Sequence, residues 1–138
     1  MELTERILRE FSVIAVVGMS RDPSKAAHGI PAKLSSAGFD VIPVNPHAES
    51  ILGLDSYPTL AAIPRAVEVV LVFRPSEDTP EVAAQAVAIS AKALWLQQGI
   101  QSEQARALAE AAGLLYVEDR CIGVERARFQ ITKSQASG

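Results

Sequence analysis

The sequence predicts an α/β fold in which a doubly wound parallel sheet of five strands carries helices on both faces. Two observations predict it. Five short segments are apolar at nearly every position, which is typical of strands buried on both faces of a parallel sheet. Between them lie segments with apolar residues at helical spacing, and the two kinds alternate along 138 residues without an internal repeat. We expect one domain over residues 1–132, followed by a small, polar, disordered tail over 133–138.

Proline, glycine and capping residues set the limits of the predicted helices. Pro31 is expected in a first helical turn, which places the start of its helix near Ala27 to Ile30, and Gly38 ends that helix. Thr79-Pro80-Glu81 combines a cap, a proline in the first turn and an acid near the positive end of the helix dipole. Ser102 caps a further helix that ends at Gly113. The buried face predicted for this last helix is Ala105, Leu108, Ala109 and Ala112.

Each predicted strand is an apolar run that stops at turn residues. Asn45-Pro46 stops the second strand and Arg74-Pro75 the third, because proline restricts the residue before it and cannot continue a buried ladder. In chain order we expect a helix over 3–11, strands over 12–18 and 39–44 around the Pro31 helix, an irregular stretch over 47–63 with a short helix from Thr59, and strands over 67–73, 93–97 and 114–117 separated by the last two helices.

Composition excludes several classes of function. A net charge of −3 argues against a nucleic-acid binder, which normally carries a basic stripe. No apolar run approaches the ~18 residues that a membrane span needs, and the N-terminus lacks the pattern of a secretion signal. The single cysteine, Cys121, cannot form an internal disulfide, which fits a reducing compartment. We therefore expect a soluble cytoplasmic protein with neither a nucleic-acid nor a membrane partner.

The loop after the first strand has the features of a phosphate site. In doubly wound sheets, which include the Rossmann-like folds, ligands bind beyond the carboxyl ends of the strands, where a glycine lets backbone amides approach an anion at a helix N-terminus. Gly18 fills that position, and Ser20, Arg21 and Lys25 follow it. The next glycine is Gly29, so no dinucleotide fingerprint is present, and no acid ends the second strand. A phosphorylated nucleotide other than NAD is predicted; the alternative is that both cations only keep an exposed loop solvated.

Three further turns are expected at the same edge. Val44-Asn45-Pro46 offers an apolar wall and an amide suited to adenine and its sugar, or is merely a stiff turn. Phe73 either packs on a purine or ends the core of its strand, and Arg74 beside it supplies a cation. Gln97 stands at the end of the fourth strand and is predicted to contact the ligand, whereas Trp95 is predicted to lie in the core.

No catalytic or metal-binding set is predicted. Neither His28 nor His47 has a cysteine or an acid at metal-ligand spacing. Cys121 follows Arg120, which would favour a thiolate, but no histidine lies near in sequence, so a packed thiol away from the ligand-facing turns is expected. The predicted site binds without a reaction.

Together these segments resemble the small stand-alone CoA-binding proteins. They are similar to the CoA-binding domain that begins the succinyl-CoA synthetase alpha subunit and the ADP-forming acyl-CoA synthetases. Where that family often has an aspartate and a second arginine, this chain has Leu71 and Pro75, and the lost cation would weaken affinity. The matching segments are Ile14 to Gly18 with Ser20, Val41 to Pro46, Leu52-Gly53, Tyr57 to Leu60, Val72 to Arg74, Trp95 to Gln97 with Gly99, and Asp119 to Cys121.

The resemblance implies a site for coenzyme A or acyl-CoA, with the pyrophosphate at the first loop and the adenosine between the turns after the second and third strands. It implies a non-catalytic carrier, sensor or regulatory partner of an unidentified protein, without the synthetase activity, which needs further domains. The alternatives are a small acyl-transfer or NAD(P)-linked enzyme using Arg74 or Cys121, and an interaction module with a vestigial pocket. The implied binding residues are Gly18, Ser20, Arg21, Lys25, Val44, Asn45, Pro46, Phe73, Arg74 and Gln97.

Overall fold

Five parallel strands form the sheet of this computed structural model, which describes residues 1–134, and the predicted fold class is confirmed. Their order across the sheet is β2-β1-β5-β6-β7, and β3 and β4 form a separate antiparallel pair. The strands are β1 Val13–Val17, β2 Asp40–Val44, β3 Ser50–Ile51, β4 Leu54–Asp55, β5 Val69–Val72, β6 Ala93–Leu96 and β7 Leu115–Val117. The helices are α1 Leu3–Glu10, α2 Ala26–Ser36, α3 Thr79–Ala88, α4 Glu103–Ala111 and α5 Ile122–Arg128.

Alternate side chains of the sheet face two separate cores. On β1, Ile14 and Val16 pack toward α1, α2 and α5, whereas Ala15 packs toward α3 and α4. Such alternation follows from the two-residue period of a strand, and it explains why these strands are apolar at consecutive positions. Trp95 of β6 is fully buried, as predicted, and its Nε1–H donates to the Arg120 carbonyl oxygen at 2.9 Å. Within residues 1–134, no helix combines the length and the apolar character needed to cross a membrane.

The strand order reverses at β1, and the turns after β1, β2 and β5 therefore lie side by side at one edge of the sheet. β1 lies between β2 and β5, and Val17 is in register with Val44 on one side and Val72 on the other. Gly18 follows with a φ of +87°, a conformation that favours glycine. A Cβ there would stand 2.5 Å from the Phe73 carbonyl oxygen. The fold itself therefore requires glycine at position 18, and a larger residue would disturb the sheet before it met any ligand.

Helix α2 begins earlier than the sequence predicts. It starts at Ala26, so Pro31 is its sixth residue instead of a first-turn residue. A proline inside a helix has no N–H to donate to the carbonyl four residues earlier, here that of Ala27. The Ala27 oxygen instead accepts the Ser20 N–H at 3.1 Å. The loop before α2 thus supplies the hydrogen bond that the helix lacks, and this tertiary contact lets the helix run past its proline.

The prediction lacked the β3–β4 hairpin and helix α5. The β3–β4 hairpin occupies part of the irregular stretch over 47–63, and α5 follows the last strand. Two-residue strands and a seven-residue helix are too short to show a clear period in a sequence. The predicted buried face of α4 was also too wide, because Leu108 is 39% exposed and Ala112 is exposed, which leaves Ala105 and Ala109 in the core.

Contacts with the rest of the fold continue past residue 132. Ile131 is buried, and the Lys133 N–H donates to the Ala37 carbonyl oxygen at 2.8 Å. The Lys133 ammonium donates to the Arg9 carbonyl oxygen at 2.7 Å, and burial lowers the pKa of this group. Lys133, predicted to open the disordered tail, thus joins α1 to the end of α2; positions 135–138 of that tail lie outside the described residues.

We predict that Gly18→Ala lowers the free energy of unfolding by about 2–5 kcal/mol. Positive-φ strain accounts for about 1–2 kcal/mol and overlap with the Phe73 carbonyl for about 1–3 kcal/mol. Gly113→Ala is the matched control, because its φ is +82° but a Cβ there meets nothing within 4 Å. Urea denaturation measures both variants, and equal losses would show that the close approach at Gly18 contributes nothing.

Candidate functional site

An open cleft of about 610 Å³ lies over the carboxyl ends of β1, β2 and β5, where the strand order reverses. Its walls come from the turns after these three strands, from Pro58 and Thr59, and from one face of α3 together with Asp78 just before it. Ligands of doubly wound sheets bind at this position. The lining residues are Val17 to Ser20, Val44 to His47, Pro58, Thr59, Arg74, Asp78, Glu81, Val82 and Gln85.

Six of the ten predicted binding residues meet in this cleft, namely Gly18, Ser20, Val44, Asn45, Pro46 and Arg74. Arg21 and Lys25 do not line it; both are exposed on the loop between β1 and α2, beside the cleft. The remaining two, Phe73 and Gln97, lie outside the lining. The sequence thus located the edge of the sheet correctly, while the side chains divide between the cleft, its rim and the core.

Hydrogen bonds within the loop after β1 hold it in one conformation. Ser20 Oγ accepts the Asp22 N–H at 3.0 Å, and Asp22 Oδ1 accepts the N–H and the hydroxyl of Ser24 at 2.9 and 2.7 Å. The two bonds from Ser24 hold the pKa of the Asp22 carboxyl below its ordinary value, and the charges of Lys25 and His28 act in the same direction. The carboxylate therefore stays ionised at neutral pH, and the loop keeps its acceptor.

Asn45 ties the first loop to the turn after β2. Its Nδ2 donates to the Met19 carbonyl oxygen at 2.9 Å, and its Oδ1 accepts the His47 N–H at 2.7 Å. The amide predicted to flank an adenosine is thus largely occupied in joining two loops. Val44 and Pro46 on either side of it remain as the apolar part of that wall.

Four backbone amides around the loop are left as donors. The N–H groups of Met19, Arg21, Ala26 and Ala27 donate to no acceptor within residues 1–134. The last two open α2, where the helix dipole also favours an anion, and the exposed side chains of Arg21 and Lys25 lie on the same loop. Amide donors and two cations together fit a phosphate-bearing ligand.

Charge is divided unevenly between the loop and the cleft. Residues 18–25 carry Arg21, Lys25 and Asp22, which gives 2 − 1 = +1. The cleft lining carries Arg74 against Asp78 and Glu81, which gives 1 − 2 = −1 with His47 neutral. Phosphate groups are therefore favoured at the loop, and hydrogen-bond donors of a ligand are favoured against α3.

Arg74 is paired within the cleft. Its Nη2 donates to Asp78 Oδ2 at 2.8 Å, and the two side chains are 51% and 40% exposed. An ion pair this exposed is weak, because water screens it and both side chains lose freedom. An incoming anion can thus replace Asp78 as the partner of Arg74.

The side chains of Phe73 and Gln97 serve the fold. Phe73 is half-buried and packs with the core on the α1, α2 and α5 side. Gln97 is 6% exposed, and its Oε1 accepts the N–H of Ile122, the first residue of α5, at 3.1 Å. The Gln97 amide oxygen thus holds α5, a helix that the sequence did not reveal, and contact between Gln97 and the ligand stays a prediction.

The role of α3 as one wall of the cleft was not predicted, although the sequence contains a signal for it. Asp78, Glu81, Val82 and Gln85 all line the cleft. They follow the spacing i, i+3, i+4 and i+7, which places them on one helix face. This face begins directly after the turn that carries Arg74, so the spacing together with the expected edge would have found it.

Cys121 lies closer to the sheet edge than its sequence position implies. It directly precedes α5, and the bond from Ile122 to Gln97 holds that junction at the end of β6. The thiol packs near Ile30, since both lie within 4 Å of where a Cβ on Gly123 would stand. No hydrogen bond links this sulfur to a histidine in the described part of the chain, where no cluster of metal-ligating side chains occurs either.

Comparison with known proteins agrees with this geometry. Residues 12–127 match the family model described as a CoA binding domain. The uncharacterised protein YneT of Bacillus subtilis is 35% identical over 123 residues, which cover 89% of this chain and 91% of that protein. The solved structure of a hypothetical protein from Pyrococcus horikoshii superposes with a TM-score of 0.89 at 36% identity, covering 92% of this chain and 89% of its own.

A longer relative shares part of the sequence. The ADP-forming acetate–CoA ligase II of Archaeoglobus fulgidus is 38% identical over 74 residues, which are 52% of this chain and 11% of the ligase. The family match covers the sheet, the loop after β1 and the cleft. On these grounds the chain belongs to the CoA-binding domain family.

Proposed function

We propose that this protein binds coenzyme A or acyl-CoA in the cleft over β1, β2 and β5, and that it does so without catalysing a reaction. The observation that carries the proposal is the loop after β1, where four backbone donors and two cations surround the N-terminus of α2 beside an open cleft. Family membership supports the choice of CoA among phosphorylated nucleotides. Such a protein would act as a carrier, a sensor or a regulatory partner.

The division of charge supports one orientation of the ligand. The pyrophosphate would lie on the amides of Met19, Arg21 and Ala26, with Ser20 Oγ free to donate to it as well. The 3′-phosphate that distinguishes CoA would meet the exposed cations Arg21 and Lys25 at the rim. Amide and amine N–H groups of the ligand would face the carboxylates of α3. CoA carries groups of both kinds, so its chemistry fits both walls.

We predict that CoA binds about tenfold or more tightly than dephospho-CoA, and more tightly than ATP or NAD. One charge-assisted contact to the 3′-phosphate contributes about 1.5–3 kcal/mol, and about 1.4 kcal/mol is a factor of ten. Isothermal titration calorimetry gives the four affinities. The double variant Arg21→Gln with Lys25→Gln should lose most of the discrimination, whereas Lys33→Gln, at the far end of α2, should keep it. Equal affinities for CoA and dephospho-CoA would contradict the proposed phosphate contacts.

We predict that Asp78→Asn tightens CoA binding about two- to fivefold, because the ligand no longer competes with a carboxylate for Arg74. Glu81→Gln is the control: Glu81 also lines the cleft but forms no ion pair within residues 1–134. Titrations at low and high salt should show the larger gain for Asp78→Asn at low salt. The same gain in both variants would mean that the general field of α3, and not the pairing with Arg74, limits binding.

We predict that the protein forms no acyl adduct when it is incubated in stoichiometric amount with labelled acetyl-CoA. A thiol that accepts an acyl group is activated by a neighbouring base, and no histidine is hydrogen-bonded to Cys121 among the described residues. Mass spectrometry of the intact chain is the measurement, with Cys121→Ser as the control. An adduct that disappears in the serine variant would refute the non-catalytic proposal and support an acyl-transfer function.

A further inference from the structure

The proline inside α2 changes the hydrogen bonding of the helix at one carbonyl group. Pro31 is the sixth residue of the helix and has no N–H, so the helix offers no i+4 donor to the Ala27 oxygen. That oxygen is held at the first turn of α2, next to the loop after β1. A backbone carbonyl without a partner is costly to bury, so such a group favours any donor that can reach it.

The loop supplies this donor through Ser20. The Ser20 N–H donates to the Ala27 oxygen at 3.1 Å, and the Ser20 carbonyl oxygen accepts His28 Nδ1–H at 2.8 Å. Both backbone polar groups of Ser20 are therefore bound to the first turn of α2. This fixes the first part of the loop, where the neighbouring Met19 and Arg21 amides donate to no acceptor within residues 1–134.

We propose that Pro31 is a positioning residue for the anion-binding loop, acting through the Ala27 carbonyl and the Ser20 amide. With an ordinary residue at position 31, its own N–H would compete for the Ala27 oxygen and weaken the bond to Ser20. The proline thus lowers the stability of α2, while it keeps the loop after β1 in one position. The inference rests on the proposed function as far as the ligand is concerned, but the anchoring of the loop is measurable without any ligand.

The test compares Pro31→Ala with Gly29→Ala. Both substitutions raise the helix propensity of α2, and a Cβ on Gly29 meets nothing within 4 Å. Only the first one restores a donor to the Ala27 carbonyl. Three quantities are measured for each variant and the wild type: the hydrogen-exchange rate of the Ser20 amide by NMR, the CoA affinity by calorimetry, and Tm.

For Pro31→Ala we expect faster exchange at Ser20 and CoA affinity about two- to tenfold lower, with Tm unchanged or raised. For Gly29→Ala we expect a higher Tm with exchange and affinity unchanged. If Pro31 served only the stability of the fold, Pro31→Ala would change Tm and CoA affinity in the same direction. That result would overturn the proposal. Unchanged Ser20 exchange in Pro31→Ala would overturn it as well. If the wild-type protein bound no CoA, the proposed function would be refuted instead. The hydrogen-exchange rate of the Ser20 amide would then decide the role of Pro31.

Discussion

The close approach of the backbone after β1 to the backbone after β5 is the constraint on which the cleft depends. Gly18 passes so near the Phe73 carbonyl oxygen that a Cβ would stand 2.5 Å from it. The same residue donates its N–H to the Val44 carbonyl oxygen at 3.2 Å, which joins it to β2. Three strands thus end at one level around a single glycine, and the turns that follow can form a common wall.

Hydrogen bonds between the turns then make this edge a connected frame. Asn45 joins the turn after β2 to the first loop, and Ser76 Oγ accepts the Gln101 N–H at 3.1 Å, which joins the turn after β5 to that after β6. Asp119 Oδ1 accepts the Gly99 N–H at 2.7 Å and extends the connections to the end of β7. Polar side chains in these turns therefore serve mainly to fix backbone, and this leaves backbone amides as the donors for a ligand.

The two sides of the site have opposite chemical character because they come from different helices. The loop before α2 presents amides and cations, whereas the start of α3 presents two carboxylates, those of Asp78 just before the helix and Glu81 within it, and Asp78 holds Arg74. A ligand that spans both must carry anionic groups at one end and hydrogen-bond donors at the other. This requirement excludes more candidate ligands than the number of cations does. The net charge of the cleft lining alone would not attract an anion.

The sequence by itself determined the fold class and the edge of the sheet where the cleft lies, because buried strands and the turns that end them have local signatures. Gly18, Asn45-Pro46 and Arg74 all stand where an apolar run stops. Tertiary structure decided what each side chain does there. Gln97 was assigned to a ligand, but it caps α5, a helix of seven residues that has no periodic signal of its own. Pro31 was assigned to a first turn, but Ser20, eleven residues away in the chain, satisfies the carbonyl that the proline leaves open. Sequence rules consider only the free-energy cost of a residue within its own helix or strand. Hydrogen bonds from distant segments can offset that cost, so that residues occur where those rules exclude them.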